Sequence, residues 1–179
     1  MKELSRFSKR VVLRNGSPSL IRAIRPDDKH RLSEAFHRLT GKSVYFRFFT
    51  EKQELTEKDL KYFTEINFND HVAIVATITS EKKEKIIGVG RYLELEKRGL
   101  KRIAEVAFAV DDEHQNLGVC TILFKEITAI AQNKGISALE ADLLRDNNKM
   151  LEIFQRSGFN LKTTAKRGVL HIEFGIQRQ

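Results

Sequence analysis

The sequence predicts an α/β (α+β) protein built on one mixed, mostly antiparallel sheet of about seven strands, with helices on both faces. Three observations lead to this prediction. Short strand-like runs dominate the second half of the chain, amphipathic helical segments interrupt them, and turn residues separate the two kinds of segment. With the first hairpin counted as one element, the predicted order is β–α–α–β–β–β–α–β–α–β–β, which one sheet with helices on both faces accommodates. A chain of 179 residues is long enough for one sizeable core, so residues 1–179 are predicted to form a single domain.

The strands are predicted from runs rich in Val, Ile, Phe and Thr that are bounded by turn residues. The first two runs are joined by Asn15-Gly16-Ser17-Pro18, a typical turn sequence. The predicted strands cover residues 11–14, 19–24, 71–79, 85–96, 103–110, 137–144, 159–163 and 168–176.

The helices are predicted from apolar periodicity and from their start signals. Pro26 and two acidic residues open the first helix, and Thr56 can cap the second, with Asp59 three residues later. The third helix places an apolar stripe on one face, and Gly158 ends the fourth. The predicted helices cover residues 25–39, 57–66, 117–134 and 147–156.

The charge and the composition of the chain limit which partners and which location are expected. The net charge is +8, and residues 1–31 hold nine Lys and Arg against three Asp and Glu. A basic face of this kind could bind nucleic acid, an acidic partner or a phosphorylated ligand, but an ordinary solvated surface is the preferred interpretation. No nucleic-acid-binding motif accompanies the charge, so nucleic acid is not expected as a partner. One cysteine, no apolar run of bilayer length and no signal-peptide core together predict a cytoplasmic protein, with no membrane partner.

Metal chemistry is poorly supported by the sequence. The five histidines show neither an H-E-x-x-H motif nor a paired Cys/His spacing, so no metal is predicted. Cys120 follows a loop at the start of a predicted helix, where its thiol pKa could fall, but a packing role is the preferred interpretation.

The most informative stretch runs from residue 103 to residue 159. A strand leads into the compact loop 115–120, and an amphipathic helix follows at once. The first N–H groups of a helix lack internal partners, and the helix dipole is positive there, so this arrangement favours an anion. Gly118 allows the backbone to approach a ligand closely.

The spacing Gln115-x-x-Gly118-x-Cys120 resembles the Q-x-x-G-x-G/A signature of the GNAT superfamily of acyl-CoA-dependent N-acetyltransferases. Cys120 stands where that signature has Gly or Ala. The strand 86–92 and the segment from Asn147-x-x-Met150 to Gly158-Phe159 resemble further parts of the family. Residues 43–49 are similar to the S-x-Y-x-R-F-F segment of Pat-type bacterial protein-lysine acetyltransferases. The resemblance covers nearly the whole chain and implies a GNAT-like sheet.

The resemblance also implies acetyl-CoA as the co-substrate. It implies that loop amides hold the pyrophosphate, that one strand offers backbone groups to the pantetheine arm, and that Asn147 faces the same arm. A helix N-cap is an equal interpretation of Asn147. The implied binding residues are Phe108, Ala109, Val110, Gln115, Asn116, Leu117, Gly118, Val119, Cys120, Thr121, Asn147 and Met150.

Direct acetyl transfer to an amine needs a base, because a lysine with a pKa of about 10.4 is protonated at neutral pH. Glu105 is the candidate, ten residues before Gln115, with its side chain on the face opposite Val106. A solvent-facing glutamate is the alternative for Glu105, and Glu94 and Glu96 are reserve candidates.

Phe154 occupies the position where many members of the family carry a tyrosine acid, so no general acid is assigned. The expected activity is transfer of an acetyl group to a primary amine, with a protein lysine preferred as the acceptor. A small-molecule amine acetyltransferase and a non-catalytic acyl-CoA-binding module remain the alternatives, and the sequence leaves a homodimer open.

Overall fold

Eight strands form one sheet in a computed structural model that describes residues 4–95 and 101–177. The spatial order is β1-β2-β3-β4-β5-β6-β8-β7. The strands are β1 Ser8–Val12, β2 Pro18–Ala23, β3 His71–Ser80, β4 Lys83–Glu94, β5 Ile103–Val110, β6 Ala138–Leu144, β7 Leu161–Lys166 and β8 Val169–Gly175. The α-helices are α1 Lys29–His37, α2 Gly41–Phe48, α3 Glu57–Thr64, α4 Val119–Asn133 and α5 Asn148–Gln155.

Neighbouring strands pair antiparallel except for β5 and β6, which are parallel. Helices cover both faces of this sheet. Phe108 of β5 meets Phe124 of α4 on one face, while Ala107 of the same strand lines a cavity with Leu32 of α1 on the other. The predicted mixed, mostly antiparallel sheet with helices on both faces is therefore confirmed.

Two glycines of β4 set how closely α4 approaches the sheet. A Cβ added to Gly88 would lie 2.8 Å from Val119 Cγ1, and one added to Gly90 would lie 3.0 Å from the Phe108 ring. Both contacts are too short for ordinary packing. The missing side chains therefore let the first turn of α4 rest against the strand that pairs with β5.

Helix α2 was not predicted from the sequence. Its residues include the β-branched and aromatic types that have modest helix propensity, so the local signal is weak. In the structure Thr40 caps the helix by accepting from the Ser43 N–H, and the helix ends at Phe49, whose φ is 57°.

Several predicted boundaries also shift. The first strand is Ser8–Val12 rather than 11–14, because the Leu13 N–H bonds to Ser17 O and the turn begins there. The helix predicted over 117–134 begins at Val119, since Gly118 has a φ of 86°. Residue 96, the predicted end of the fourth strand, lies outside the described residues. In the described part of the chain, no helix combines the length and the apolar character that crossing a membrane requires.

A buried ion-pair network anchors β2 to the start of α1. The Arg22 side chain is 1% exposed and that of Asp28 is 0% exposed, and two N–H groups of Arg22 donate to the two Asp28 oxygens at 2.7 Å. Arg22 Nε also donates to Glu84 Oε1 at 2.9 Å. Burial opposes ionisation of Asp28, but the hydrogen bonds from Arg22 outweigh it and hold the pKa of Asp28 below its ordinary value.

Replacement of Arg22 by Met should destabilise the protein by about 3–5 kcal/mol, because it leaves the Asp28 carboxylate buried without its partner. Arg31→Met is the matched control. Arg31 also pairs with Asp28, at 3.2 Å, but its side chain is 32% exposed, so less than about 1 kcal/mol is expected. Urea unfolding at pH 7 measures both effects.

The same network predicts a pH dependence. A carboxylate whose pKa is depressed in the folded state contributes stability above its unfolded pKa of about 3.9 and loses that contribution as the pH falls through the folded value. The difference in unfolding free energy between the wild type and Arg22→Met should therefore shrink below about pH 4. A difference that is constant from pH 7 to pH 3 would contradict this assignment.

Candidate active site

The two parallel strands β5 and β6 separate soon after they begin to pair. Their register is limited to Ile103↔Ala138, Ala104↔Leu139 and Glu105↔Glu140, although β5 continues along β4 as far as Val110. Beyond these pairs the β6-facing edge of β5 has no strand partner. This opening exposes main-chain groups that a ligand can bind as an added strand would.

Alternation along β5 determines which backbone groups face the opening. The Asp111 N–H donates to Ile87 O at 2.9 Å, so residue 111 points its N–H toward β4. Because β4 and β5 pair without a register shift, Ala109 also directs its backbone groups to β4, whereas those of Phe108 and Val110 face the opening. Of the three residues predicted to offer backbone groups to a ligand, Phe108 and Val110 therefore direct theirs into the opening, and Ala109 does not.

The loop after β5 is built on two residues with left-handed backbone conformations. Asn116 has a φ of 64° and Gly118 a φ of 86°, and Gly118 is the N-cap of α4. This geometry directs the first N–H groups of α4, from Val119 onward, out of the end of the helix. Such groups, together with the positive end of the helix dipole, form a site for a phosphate.

A cleft of about 830 Å³ extends along this loop and the opening between the strands. All the residues predicted to hold the cofactor line it except Leu117, whose carbonyl instead accepts from the Arg14 N–H at 3.0 Å. The cleft-lining members of that set are Phe108, Ala109, Val110, Gln115, Asn116, Gly118, Val119, Cys120, Thr121, Asn147 and Met150.

Gln115 ties the loop to its surroundings. Its Nε2 donates to Asp112 Oδ1 at 3.0 Å, and its Oε1 accepts from Lys149 Nζ at 2.8 Å. Asn147 caps α5, because its Oδ1 accepts from the Met150 N–H at 3.3 Å. The N-cap interpretation of Asn147 is therefore confirmed, and the residue also lines the cleft.

Arg14 lines the same cleft and was not identified from the sequence. Its Nη1 donates to Asn116 O at 3.3 Å, and its Nε would lie 3.4 Å from a Cβ at Gly118. A guanidinium beside the loop amides adds a full positive charge to the predicted phosphate site. The only sequence signal was the basic bias of residues 1–31, because Arg14 is about a hundred residues away from the loop in the chain.

A second cavity of about 290 Å³ adjoins the cleft, since Phe46, Arg47, Phe108, Asn147 and Met150 line both. Glu105 lines this second cavity and is exposed. Val106 is buried, so the predicted alternation of these two residues between opposite faces is confirmed.

The reserve candidates for the base differ from Glu105. Both Glu94 oxygens accept from Arg102, from Nε and Nη2, at 2.7 Å each. Proton transfer to Glu94 would weaken this bidentate ion pair. Glu96 lies outside the described residues.

Two departures from the family signature have packing explanations. Phe154 is 1% exposed and lies against Phe124 and Phe174, which is a core position. Burial raises the pKa of Cys120 to about 12, and its Sγ lies 3.6 Å from Met150 Sδ. The thiol therefore stays protonated at neutral pH, in agreement with a packing role.

One group of potential metal ligands occurs in the described part of the chain, and the turn itself accounts for it. Asp111, Glu113 and His114 place their ligand atoms within 4.8 Å of one another. Asp111 accepts from Arg38 Nε at 2.5 Å and caps the turn by accepting from the Glu113 N–H at 3.0 Å. The expectation that the protein uses no metal stays a prediction.

Comparison with known proteins identifies the family. The model of the acetyltransferase (GNAT) family matches residues 37–159. The crystal structure of the GNAT domain of S. lividans PAT is 35% identical, covers 94% of this chain and 96% of that one, and superposes with a TM-score of 0.84. The chain belongs to the acetyltransferase (GNAT) family, and it is an acetyl-CoA-dependent N-acetyltransferase.

Two curated relatives are acetyltransferases. One from Pseudomonas aeruginosa is 25% identical over 147 residues, which are 82% of this chain and 77% of that protein. Acetyltransferase Pat of Mycolicibacterium smegmatis is 27% identical over 148 residues, which are 83% of this chain but only 43% of Pat. The chain thus spans less than half of that relative. The cleft, the loop amides and Arg14 suit acetyl-CoA, which carries phosphates and an extended pantetheine arm.

Gly118→Ala should weaken acetyl-CoA binding by roughly tenfold or more, the equivalent of about 1.4 kcal/mol. A Cβ there strains a left-handed residue and would lie in contact with the Arg14 side chain, which must then keep its place beside the loop. Gly168→Ala is the matched control, because Gly168 has a φ of 83° with nothing within 4 Å of the added Cβ. Calorimetry should show that only the first change weakens binding. Equal affinities of the two variants for acetyl-CoA would show that the phosphates bind elsewhere.

Proposed function

We propose that the protein acetylates lysine side chains of other proteins and that Glu105 is the general base. The observation that carries this proposal is the position of Glu105. It lines the cavity that adjoins the acetyl-CoA cleft, on the strand whose backbone groups face the opening between β5 and β6. An acceptor amine in that cavity would stand between a carboxylate and the donor.

Acetyl transfer requires two things of the chain, a base and groups that orient the donor. Acetyl-CoA supplies the acetyl group as a thioester, and transfer forms a C–N bond while the C–S bond breaks. Glu105 takes a proton from the acceptor ammonium, directly or through water, because only the neutral amine is nucleophilic. Phe108 and Val110 orient the donor through their outward backbone groups. No side-chain acid is required, since a thiol pKa near 8.5 makes the thiolate a tolerable leaving group.

A protein acceptor is supported by the surface around the cavity. Helix α2 carries the segment that resembles Pat-type domains, and its residues line both the cleft and the second cavity. Three large aromatic side chains nearby are unusually exposed: Tyr45 at 45%, Phe49 at 38% and Tyr62 at 52%. Exposed aromatic residues of this kind are enriched where proteins bind other proteins.

The basic N-terminal segment contributes less to acceptor choice than its charge suggests. Four of the eight Lys and Arg that the structure describes in residues 4–31 are paired with carboxylates: Lys9, Arg22, Lys29 and Arg31. Paired charges produce a weaker field at a distance than free ones. Any preference for an acidic acceptor must therefore come from charged residues nearer to the cavity than the N-terminal segment is. We further propose a cytoplasmic location and a single domain, and leave a homodimer open.

Glu105→Gln should lower kcat roughly 10²- to 10⁴-fold at pH 7, the usual loss when a positioned base is removed. Affinity for acetyl-CoA should be unchanged, because the phosphate loop is intact. The defect should shrink as the pH rises toward 10, where more of the acceptor amine is already neutral.

Glu94→Gln is the comparison for Glu105. It breaks the ion pair with Arg102, so thermal stability should fall while kcat changes little. Wild-type turnover by Glu105→Gln at pH 7, with a large loss in Glu94→Gln, would assign the base to Glu94 instead.

The nature of the acceptor can be tested by thiol release. We expect release of free thiol from acetyl-CoA in the presence of lysine-containing proteins, and mass spectrometry should find the added acetyl group on lysine. Faster turnover of small amines than of any protein lysine would favour a small-molecule acetyltransferase. Binding of acetyl-CoA without turnover of any amine would favour a non-catalytic acyl-CoA-binding module.

A further inference from the structure

Within the residues that the structure describes, two neighbouring arginines, one of which lines the second cavity, lack the kind of carboxylate partner that Arg22, Arg38 and Arg102 have. Arg91, in β4, is 8% exposed, and Arg47 lies in α2. Within residues 4–95 and 101–177 no carboxylate is within ion-pair distance of either side chain. By contrast, Arg22, Arg38 and Arg102 each contact one at 2.5–2.7 Å.

The contacts of Arg91 are neutral. Its guanidinium lies 4.3 Å from the centre of the Phe63 ring, and its Nη1 lies 3.3 Å from His71 Nε2. Burial and then the neighbouring Arg91 lower the pKa of His71 to about 4, so the imidazole is neutral at pH 7 and Nε2 accepts the hydrogen bond. Neither partner neutralises the arginine.

The two guanidinium groups also disfavour each other. Burial and then Arg47 lower the pKa of Arg91 to about 9, while burial lowers the pKa of Arg47. Arg91 still carries its charge at pH 7. Arg47 is only partly buried, whereas Arg91 is buried. Keeping the unpaired charge of Arg91 out of water is costly, so it reduces the stability of the protein unless an anion joins it.

The pair is placed where an acceptor would reach it. Arg47 lines the acetyl-CoA cleft, the second cavity and a third, smaller cavity of about 50 Å³ between α1, α2 and the sheet. Arg91 lines this small cavity with it. The volume admits a group of the size of a carboxylate, not a whole substrate.

Carboxylates elsewhere around the cavities leave the pair unneutralised. Asp111 also lines the small cavity, but it is paired with Arg38. Asp142 lines the second cavity and lies 2.8 Å from His171 Nδ1. Glu105 attracts Arg47 without forming an ion pair. In the proposed function it contacts the acceptor ammonium. The second cavity is therefore lined by a carboxylate, Glu105, and by a cation, Arg47.

We propose that Arg47 and Arg91 bind a carboxylate of the acceptor while Glu105 receives its amine. The inference rests on the proposed function for the placement of the amine. Two guanidinium forks suit the planar geometry of a carboxylate, which would also relieve their repulsion. That carboxylate is either an Asp or Glu side chain next to the target lysine, or part of a small amino acid. The pair is thus a specificity element for acidic acceptors.

Two matched pairs of acceptors test this. The first is a capped peptide with one lysine flanked by glutamates, against the same peptide with glutamines. The second is γ-aminobutyrate against butylamine. The wild type should prefer the carboxylate-bearing member of at least one pair by roughly 10- to 150-fold in kcat/KM, the ratio expected for a charge-assisted hydrogen bond. The pair that shows the preference identifies the source of the carboxylate.

Arg47→Met and Arg91→Met should each bring that ratio close to one. Arg10→Met is the matched control, because Arg10 is an exposed arginine on β1 that lines none of the three cavities, and it should keep the full preference. If Arg91→Met fails to fold, as judged by circular dichroism, Arg47→Met still tests the proposal.

Calorimetric titration with glutarate measures the affinity of the same site for a carboxylate without turnover. The proposal is supported if glutarate binds the wild type and binds Arg47→Met at least tenfold more weakly. The proposal is overturned if the wild type gives kcat/KM ratios near one for both acceptor pairs, or if its preference persists in both arginine variants. Either result would count even if lysines are acetylated rapidly. A clear preference for γ-aminobutyrate with no peptide acetylated would instead refute the lysine acceptor and leave the carboxylate site standing.

Discussion

The separation of β5 from β6 is the constraint on which the rest of the site depends. A sheet edge inside a domain normally finds a partner, because unpaired backbone groups away from water are costly. Here the parallel pairing stops after three residues of each strand, and Phe108 and Val110 direct their backbone groups into the gap, where the Val110 carbonyl accepts from Gln115 Nε2 at 3.5 Å. A substrate bound in this gap would complete the hydrogen bonding of the sheet.

The helix that follows β5 gives the gap its polarity. Because Gly88 and Gly90 have no side chains, the first turn of α4 lies directly against β4, and its N-terminal N–H groups open beside the gap. Arg14, from the opposite end of the chain, adds a cation at the same point. One end of the gap thus suits phosphates, while the other end leads to Glu105 and the second cavity.

Local sequence was sufficient for the features that depend on neighbouring residues. The loop 115–120, the presence of a helix after it and the alternation of Glu105 with Val106 follow from spacing and periodicity, which act over a few residues. Helix α2 was missed because its stability comes from packing and its Thr40 cap, not from intrinsic propensity. Arg14 was missed because its role depends on a contact that spans most of the chain.

By itself, then, the sequence determined the class of fold, and it predicted the phosphate loop and the candidate base, since each depends on the order of elements or on a short motif. The tertiary structure alone decided which charges are paired. Nothing in the sequence distinguishes Arg22, which is neutralised by Asp28, from Arg91, which has no carboxylate partner within the described residues. Partner choice is set by distance and burial, and residues far apart in the chain acquire both only when the sheet and its helices assemble.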